Sequence, residues 1–179
     1  MGRETTEHPR ADEALRRAYR ALNAVRHCGQ VLVRATDEAE LLRKTCQGIV
    51  DRAGYRLAWV GLAEHDEAKT VRAVAAAGYD GGYLDTVQIT WADTERGRGP
   101  TGTAIRTGQP VVVRDTARDP TYAPWRAEAL RRGYASTLAL PLKIDGGIAG
   151  ALSIYAADVN AFDAEEVRLL SELADDLTY

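Results

Sequence analysis

Residues 97–115, GRGPTGTAIRTGQPVVVRD, decide how this chain folds, because their glycines fit two incompatible readings. Gly97, Gly99 and Gly102 satisfy the letters of a dinucleotide-binding fingerprint, in which glycines let the backbone approach a pyrophosphate at a helix N-terminus. Such a fingerprint has to follow a buried apolar strand and open a full crossover helix. Here the preceding residues, Ala92 to Arg96, are polar and turn-like. The apolar run Thr103-Ala104-Ile105 reaches only a turn or two before Gly108 and Pro110 stop it. The stretch therefore reads as a tight turn into a short helix, followed by a strand at Val111-Val112-Val113.

Downstream of it, Pro124-Trp125-Arg126 opens another short helix, with proline in the first turn and Gly133 as the C-terminal cap. Leu138 to Ile144 and Ile148 to Tyr155 flank Asp145-Gly146, a dipeptide suited to a hairpin turn with positive φ, and these two strands are expected at the centre of the sheet. A final helix starts with Asp163 as N-cap and Glu166 at its third position, with Val167, Leu170, Ala174 and Leu177 on its inner face.

Upstream, Leu57 to Ala63 and Val71 to Ala77 read as a hairpin around the charged turn Glu64-His65-Asp66-Glu67, and Val87 to Trp91 as a further short strand. Asp37 with Glu40 starts a helix that Gly54 ends. Before it, Leu15, Ala18, Leu22, Val25, Gly29 and Leu32 alternate steps of three and four, a seam that asks for a partner helix. The expected organisation is a disordered tail over 1–11, a signalling or dimerisation helix over 12–35 and one domain over 36–179. Hairpins outnumber βαβ units, so the fold class is α+β with a mostly antiparallel sheet. The first, second and last helices cover one face of that sheet. The other face receives only short helices and the long connection from Tyr79 to Arg96, which leaves room for a pocket.

Composition sets the outer bounds. A chain of 179 residues holds one domain with a sizeable core. Its net charge of -3 gives no pull toward nucleic acid or anionic membrane, and no apolar run approaches the roughly eighteen residues of a membrane span. Cys28 and Cys46 have no metal-type spacing and read as buried thiols in a reducing cytosol, so the expected location is cytoplasmic.

Together, the glycine-rich entry at 97–115, the DPTYAPWRAEALRRGYAS lid, the hairpin LALPLKIDGGIAGALSIYAA and the closing NAFDAEEVRLLSELA resemble a GAF domain, the small-ligand sensing module of bacterial signalling proteins and of some phosphodiesterases and phytochromes. The resemblance runs from about Leu32 to Leu177. It implies a central antiparallel sheet of five or six strands, N- and C-terminal helices on one face, a ligand cavity under the short helices on the other, and a homodimer through the terminal helices. It also implies a sensory module, not an enzyme, that relays its signal to a histidine kinase or diguanylate cyclase output. No GGDEF-like sequence, phosphoacceptor helix or ATP-binding glycine box occurs in the chain, so it is expected to be a piece of a longer sensor.

Within that frame, some GAF proteins reduce free methionine sulfoxide and need redox cysteines at the pocket, where this chain has none. Bilin attachment is closed for the same reason, since no cysteine follows Cys46. The cyclic-nucleotide motif is only echoed, by Asn160, Phe162 and Glu165, with Ala161 in place of its lysine. The alternatives to a sensor are a sulfoxide reductase of this fold or a dimerisation module that binds nothing. No metal or cofactor is expected, because His8, His27 and His65 lie away from the pocket and from one another.

Candidate ligand contacts are the aromatics Tyr79, Trp91, Trp125, Tyr134 and Tyr155, together with Thr101, Thr103, Asp115, Arg126, Ser136 and Thr137. Between Arg96 and Arg132 eight arginines face three acids, Asp115, Asp119 and Glu128, so an unknown small ligand with anionic character is one expectation. A solvated lid surface is the plainer one.

Overall fold

The computed structural model describes residues 7–34 and 37–177. Five strands form one fully antiparallel sheet: β1 (Leu57–Ala63), β2 (Val71–Gly78), β3 (Val111–Val113), β4 (Ser136–Ile144) and β5 (Gly147–Ala156). Their spatial order is β2-β1-β5-β4-β3. The β4–β5 turn is the expected one, with Asp145 and Gly146 at φ 49° and 80°, the two positive values a primed hairpin turn requires. Of the two strands expected at the centre, β5 takes it alone, and β1 and β4 flank it. Tyr155 stands opposite Leu57 on one side and Thr137 on the other.

Side chains alternate across each strand, so the sheet sorts its residues onto two faces. Ala58, Val60, Leu138, Leu140, Leu142, Leu152 and Ile154 belong to a core shared with three helices. These are α1 (Glu7–Arg34), α2 (Glu38–Ala53) and, at the end of the chain, α6 (Ala164–Asp176). Asp37 caps α2 by accepting from the Glu40 N–H at 2.7 Å, and Asp163 caps α6 by accepting from the Glu166 N–H at 2.8 Å. α1 turns Ala21, Ala24 and Cys28 inward, spaced three and four apart. Its expected seam divides. Leu15, Leu22 and Gly29 are exposed, while Ala18 and Val25 are half-buried. The side chain of Leu32 lies outside the described residues.

On two points the architecture departs from expectation. α1 begins at Glu7, so part of the expected tail is helical, while residues 1–6 lie outside those described. Val87 to Trp91 is no strand, for among the described residues it pairs with the sheet only at the Thr70–Thr90 bridge. It runs alongside the turn that precedes β2, where Lys69 at φ 50° interrupts the extended backbone a ladder would need.

The other sheet face carries Leu57, Trp59, Val113, Ala151 and Tyr155 into a second core. It is covered by α3 (Tyr83–Thr86), α4 (Pro100–Thr107), a 3-10 turn over Pro120–Trp125 and α5 (Arg126–Arg132). Pro124 therefore lies inside the 3-10 turn, and Asp119 is its cap, accepting from the Thr121 N–H at 2.9 Å.

Candidate functional site

The lid face is built around tyrosines. Tyr134 packs on Tyr155 with ring centroids 4.9 Å apart, and Tyr83 meets both rings edge-on at 5.2 and 5.7 Å. Their hydroxyls are used within the cluster. Tyr83 Oη and Tyr122 Oη lie 3.0 Å apart, and the Trp59 indole donates to Tyr155 Oη at 3.3 Å. Burial pushes the phenols of Tyr83, Tyr122 and Tyr155 well above their ordinary value, so all three are neutral hydroxyls at any physiological pH. Beside them, Thr101 on α4 and Ser153 on β5 share a buried hydrogen bond of 2.9 Å.

Between this cluster and the first turn of α4 lies a void of about 10 Å³, bordered by Tyr83, Ile89, Arg96, Tyr122, Trp125 and Tyr155 as well as by residues 99–102. That is about the space one water needs. The glycine-rich entry lets α4 sit this close to its surroundings: a Cβ on Gly102 would fall 2.5 Å from the carbonyl oxygen of Thr90 and nearer still to that of Gly97. One residue that borders the void holds a buried donor without a partner among the described residues. Trp125 is 3 % exposed, and its indole Nε1 meets no acceptor among the described residues.

The arginines of this region are mostly committed to the fold. Arg106 donates to the carbonyls of Trp91 at 3.1 Å, Ala92 at 3.0 Å and Gly97 at 2.5 Å, tying the loop before α4 together. Arg126 holds the carbonyls of Thr116 and Asp119, and Arg132 those of Asp80 and Gly81. Arg98, Arg118 and Arg131 pair with Asp93, Asp115 and Glu128. Among the described residues only Arg96 and Arg114 of the eight make no side-chain hydrogen bond or ion pair, and Arg96 alone of these two borders the void.

Of the residues singled out in the sequence, Thr101, Trp125 and Tyr155 border the void. The others stand elsewhere. Tyr134 is buried behind Tyr155, its hydroxyl donating to the Tyr79 carbonyl. Thr137 is buried, with a hydroxyl that has no partner among the described residues. Ser136, one residue earlier on β4, donates to the Asp158 carbonyl at 2.6 Å. Tyr79 is half exposed under the Arg56 guanidinium, 5.0 Å from it. Trp91 donates to the Glu64 carbonyl at 2.8 Å and lies under Lys69. Thr103 donates to the Arg98 carbonyl, Asp115 accepts from the Ala117 N–H at 3.0 Å, and Arg126 is used as above. Tyr83, Tyr122 and Arg96 were not singled out as contacts. Tyr83 and Arg96 sit in the connection expected to wall the pocket, and Tyr122 in the lid segment, neither of which has a periodicity that shows which side chains turn inward.

A family model for the GAF domain matches residues 35–178. The chain belongs to the GAF domain family. No curated protein sequence matches it. Among solved structures, this GAF domain is similar to the free methionine-R-sulfoxide reductase of Neisseria meningitidis in complex with its substrate, at 23% identity and TM-score 0.72, covering 88% of this chain and 85% of that one. It is similar to the GAF domain of a phosphoenolpyruvate-protein phosphotransferase from Coxiella burnetii, at 18% identity and TM-score 0.71, over 89% and 91% of the two chains. The reduced form of the free methionine sulfoxide reductase of Staphylococcus aureus aligns at 16% identity and TM-score 0.69, over 88% and 92%.

These neighbours overturn one expectation. The GAF architecture was expected to mark a module that is not an enzyme, yet enzymes of known reaction share it along nearly their whole length. The fold gives no support for excluding catalysis. In this chain the two thiols stand apart from the void: Cys28 and Cys46 belong to the helix-side core, and burial pushes both up to about 12. Among the described residues no group of His, Cys, Asp and Glu could hold a metal ion, and no helix is long and apolar enough to cross a membrane.

Proposed function

We propose that this GAF domain binds a small polar molecule between the tyrosine face of its sheet and the lid formed by α4 and the 3-10 turn at Pro120–Trp125. The observation that carries this reading is Trp125, which borders the void and whose buried indole N–H meets no acceptor among the described residues. An orphaned buried donor costs about 1–3 kcal/mol, and a ligand that supplies an acceptor removes that cost. In the void as it stands there is room for little more than a water, so ligand entry requires the Trp125 side of the lid to move outward. β5 has Tyr155 at the lid core and its neighbour Ile154 in the helix core, so a shift of that strand is felt by the terminal helices. The exposed stripe Leu15, Tyr19 and Leu22 on α1 then serves as the contact between two copies, and the relay leads to an output domain of the parent protein. Native mass spectrometry of freshly purified protein tests both parts. A dimer mass with a bound small molecule is expected; a bare monomer counts against both. Leu22→Glu should convert dimer to monomer.

A second reading is favoured by the reductases that share the fold: the chain takes free methionine-R-sulfoxide and reduces it. Cys28 and Cys46 would have to serve as its thiols, and both lie in the other core. A thioredoxin-coupled assay with NADPH and free methionine-R-sulfoxide separates the two. Sustained NADPH oxidation supports the reductase; binding without turnover favours the first reading.

A further inference from the structure

The apolar stripe on α1 ends in opposite charges. Of the seven large apolar side chains that stand exposed among the described residues, three lie on this one helix: Leu15 at 69 %, Tyr19 at 64 % and Leu22 at 45 %. They are spaced four and three apart, so a single face of α1 carries them, on the side away from the inward residues Ala21, Ala24 and Cys28. The same steps reach Asp12, three residues before Leu15, and Arg26, four residues after Leu22, and both are exposed. Asp12 and Arg26 therefore stand equally far from Tyr19, each about two turns or 10 Å away along the helix. The rest of α1 is charged in the same sense. Glu7, Asp12 and Glu13 are its only acids, whereas the stretch from Ala14 to Arg34 holds five arginines and no acid.

Resting on the reading that this stripe joins two copies, we propose that the second copy docks antiparallel, about a twofold axis through Tyr19, so that Asp12 of each copy meets Arg26 of the other. Tyr19 then packs on the partner's Tyr19, and Leu15 comes within one residue's rise of the partner's Leu22. A parallel pair in register would place Asp12 against Asp12 and Arg26 against Arg26, with like charges at both ends of the apolar contact. The antiparallel pair replaces those two repulsions with two attractions, and it lays the acidic start of each helix on the basic half of the other. The axis crosses α1 at right angles, so the two N-termini point in opposite directions.

The test uses the whole chain, with dimer strength read by sedimentation equilibrium at low salt. Asp12→Arg or Arg26→Asp alone turns both attractions into repulsions and should weaken the dimer about tenfold or more. Asp12→Arg together with Arg26→Asp restores both pairs and should return it to wild-type strength, and the loss caused by either single change should fade at about 0.5 M salt. In a parallel dimer each reversal exchanges one repulsion for another, so all four proteins would associate alike. Cysteine pairing under a copper–phenanthroline oxidant gives a second measurement. Asp12→Cys mixed with Arg26→Cys should form a disulfide between the two proteins, and neither should link to itself; the wild type, whose Cys28 and Cys46 are buried, is the control. Self-linked Asp12→Cys, or single reversals that associate as tightly as the wild type, would overturn the orientation, and if Leu22→Glu still yields monomer the two-copy reading stands. A wild type that stays monomeric at high concentration, or a dimer that survives Leu22→Glu, removes both.

Discussion

Replacing Glu166 with glutamine should stabilise the fold increasingly as pH rises from about 4.5 to 7, relative to the wild type. Glu166 lies on α6 and is fully buried, with one carboxyl oxygen accepting from the Tyr55 hydroxyl and the other, Oε2, without a partner among the described residues. Burial pushes its carboxyl up from 4.5 to about 7, against the pull of the Tyr55 hydrogen bond and of Arg20 and Arg17 on α1; Asp163 adds a smaller upward push. The folded protein therefore holds a proton that the unfolded chain has already released, so stability falls as pH climbs through this window and levels off above it. At 1.36 kcal/mol per pH unit, the move from 4.5 to about 7 sets a ceiling of about 3 kcal/mol. Glutamine keeps an acceptor for Tyr55 and does not titrate. Urea unfolding of both proteins at pH 4.5, 6, 7 and 8, followed by tryptophan fluorescence, gives the difference directly. It should rise by about 2–3 kcal/mol across the series in favour of the variant. A difference that stays the same at every pH would refute the argument, because a constant offset reports packing alone.

Three further outcomes follow from the same geometry. Gly102→Ala places a Cβ against two backbone carbonyls that cannot swing aside and should lower the melting temperature by about 5 °C or more; an unchanged melt would contradict the close approach. Thr101→Val strips the partner from the buried Ser153 hydroxyl and should cost about 1–3 kcal/mol, whereas Thr101→Val with Ser153→Ala should cost no more than the single change, since it leaves no orphaned hydroxyl. A disulfide reagent at pH 8 should leave Cys28 and Cys46 unmodified in the folded protein, where thiols pushed up to about 12 are about one part in ten thousand thiolate, and should modify both in urea; prompt labelling of the native protein would show that the helix core opens readily.

What could be read from the sequence was whatever a short stretch settles by itself. The caps at Asp37 and Asp163, the left-handed stop at Gly54 and the Asp145-Gly146 turn each involve atoms within a few residues, and all occur where the letters place them. The segment Val87–Trp91 alternates like a strand, but pairing needs a partner edge at the right height, and the edge ends at a turn there.

The candidate site was harder because it depends on which way residues face. Ser136 and Thr137 are neighbours that look equally suited to a ligand, yet β4 alternation sends Leu138, Leu140 and Leu142 to the helix core, and Ser136 keeps their phase. That phase was already present in the leucines. Tyr83 and Tyr122 offered no such clue, since each stands in a helical piece of only one or two turns, too short for its spacing to show which side chains turn inward. The arginines misled in the opposite direction: their number suggested a broad basic field, whereas six of the eight brace loop carbonyls or pair with nearby acids. A guanidinium gains most where several carbonyls converge, as those of Trp91, Ala92 and Gly97 do around Arg106. Among the described residues Arg96 is the one arginine of the eight that both borders the void and leaves its side chain unpaired, and it is exposed to solvent, so the arginine count overstated the charge at the void.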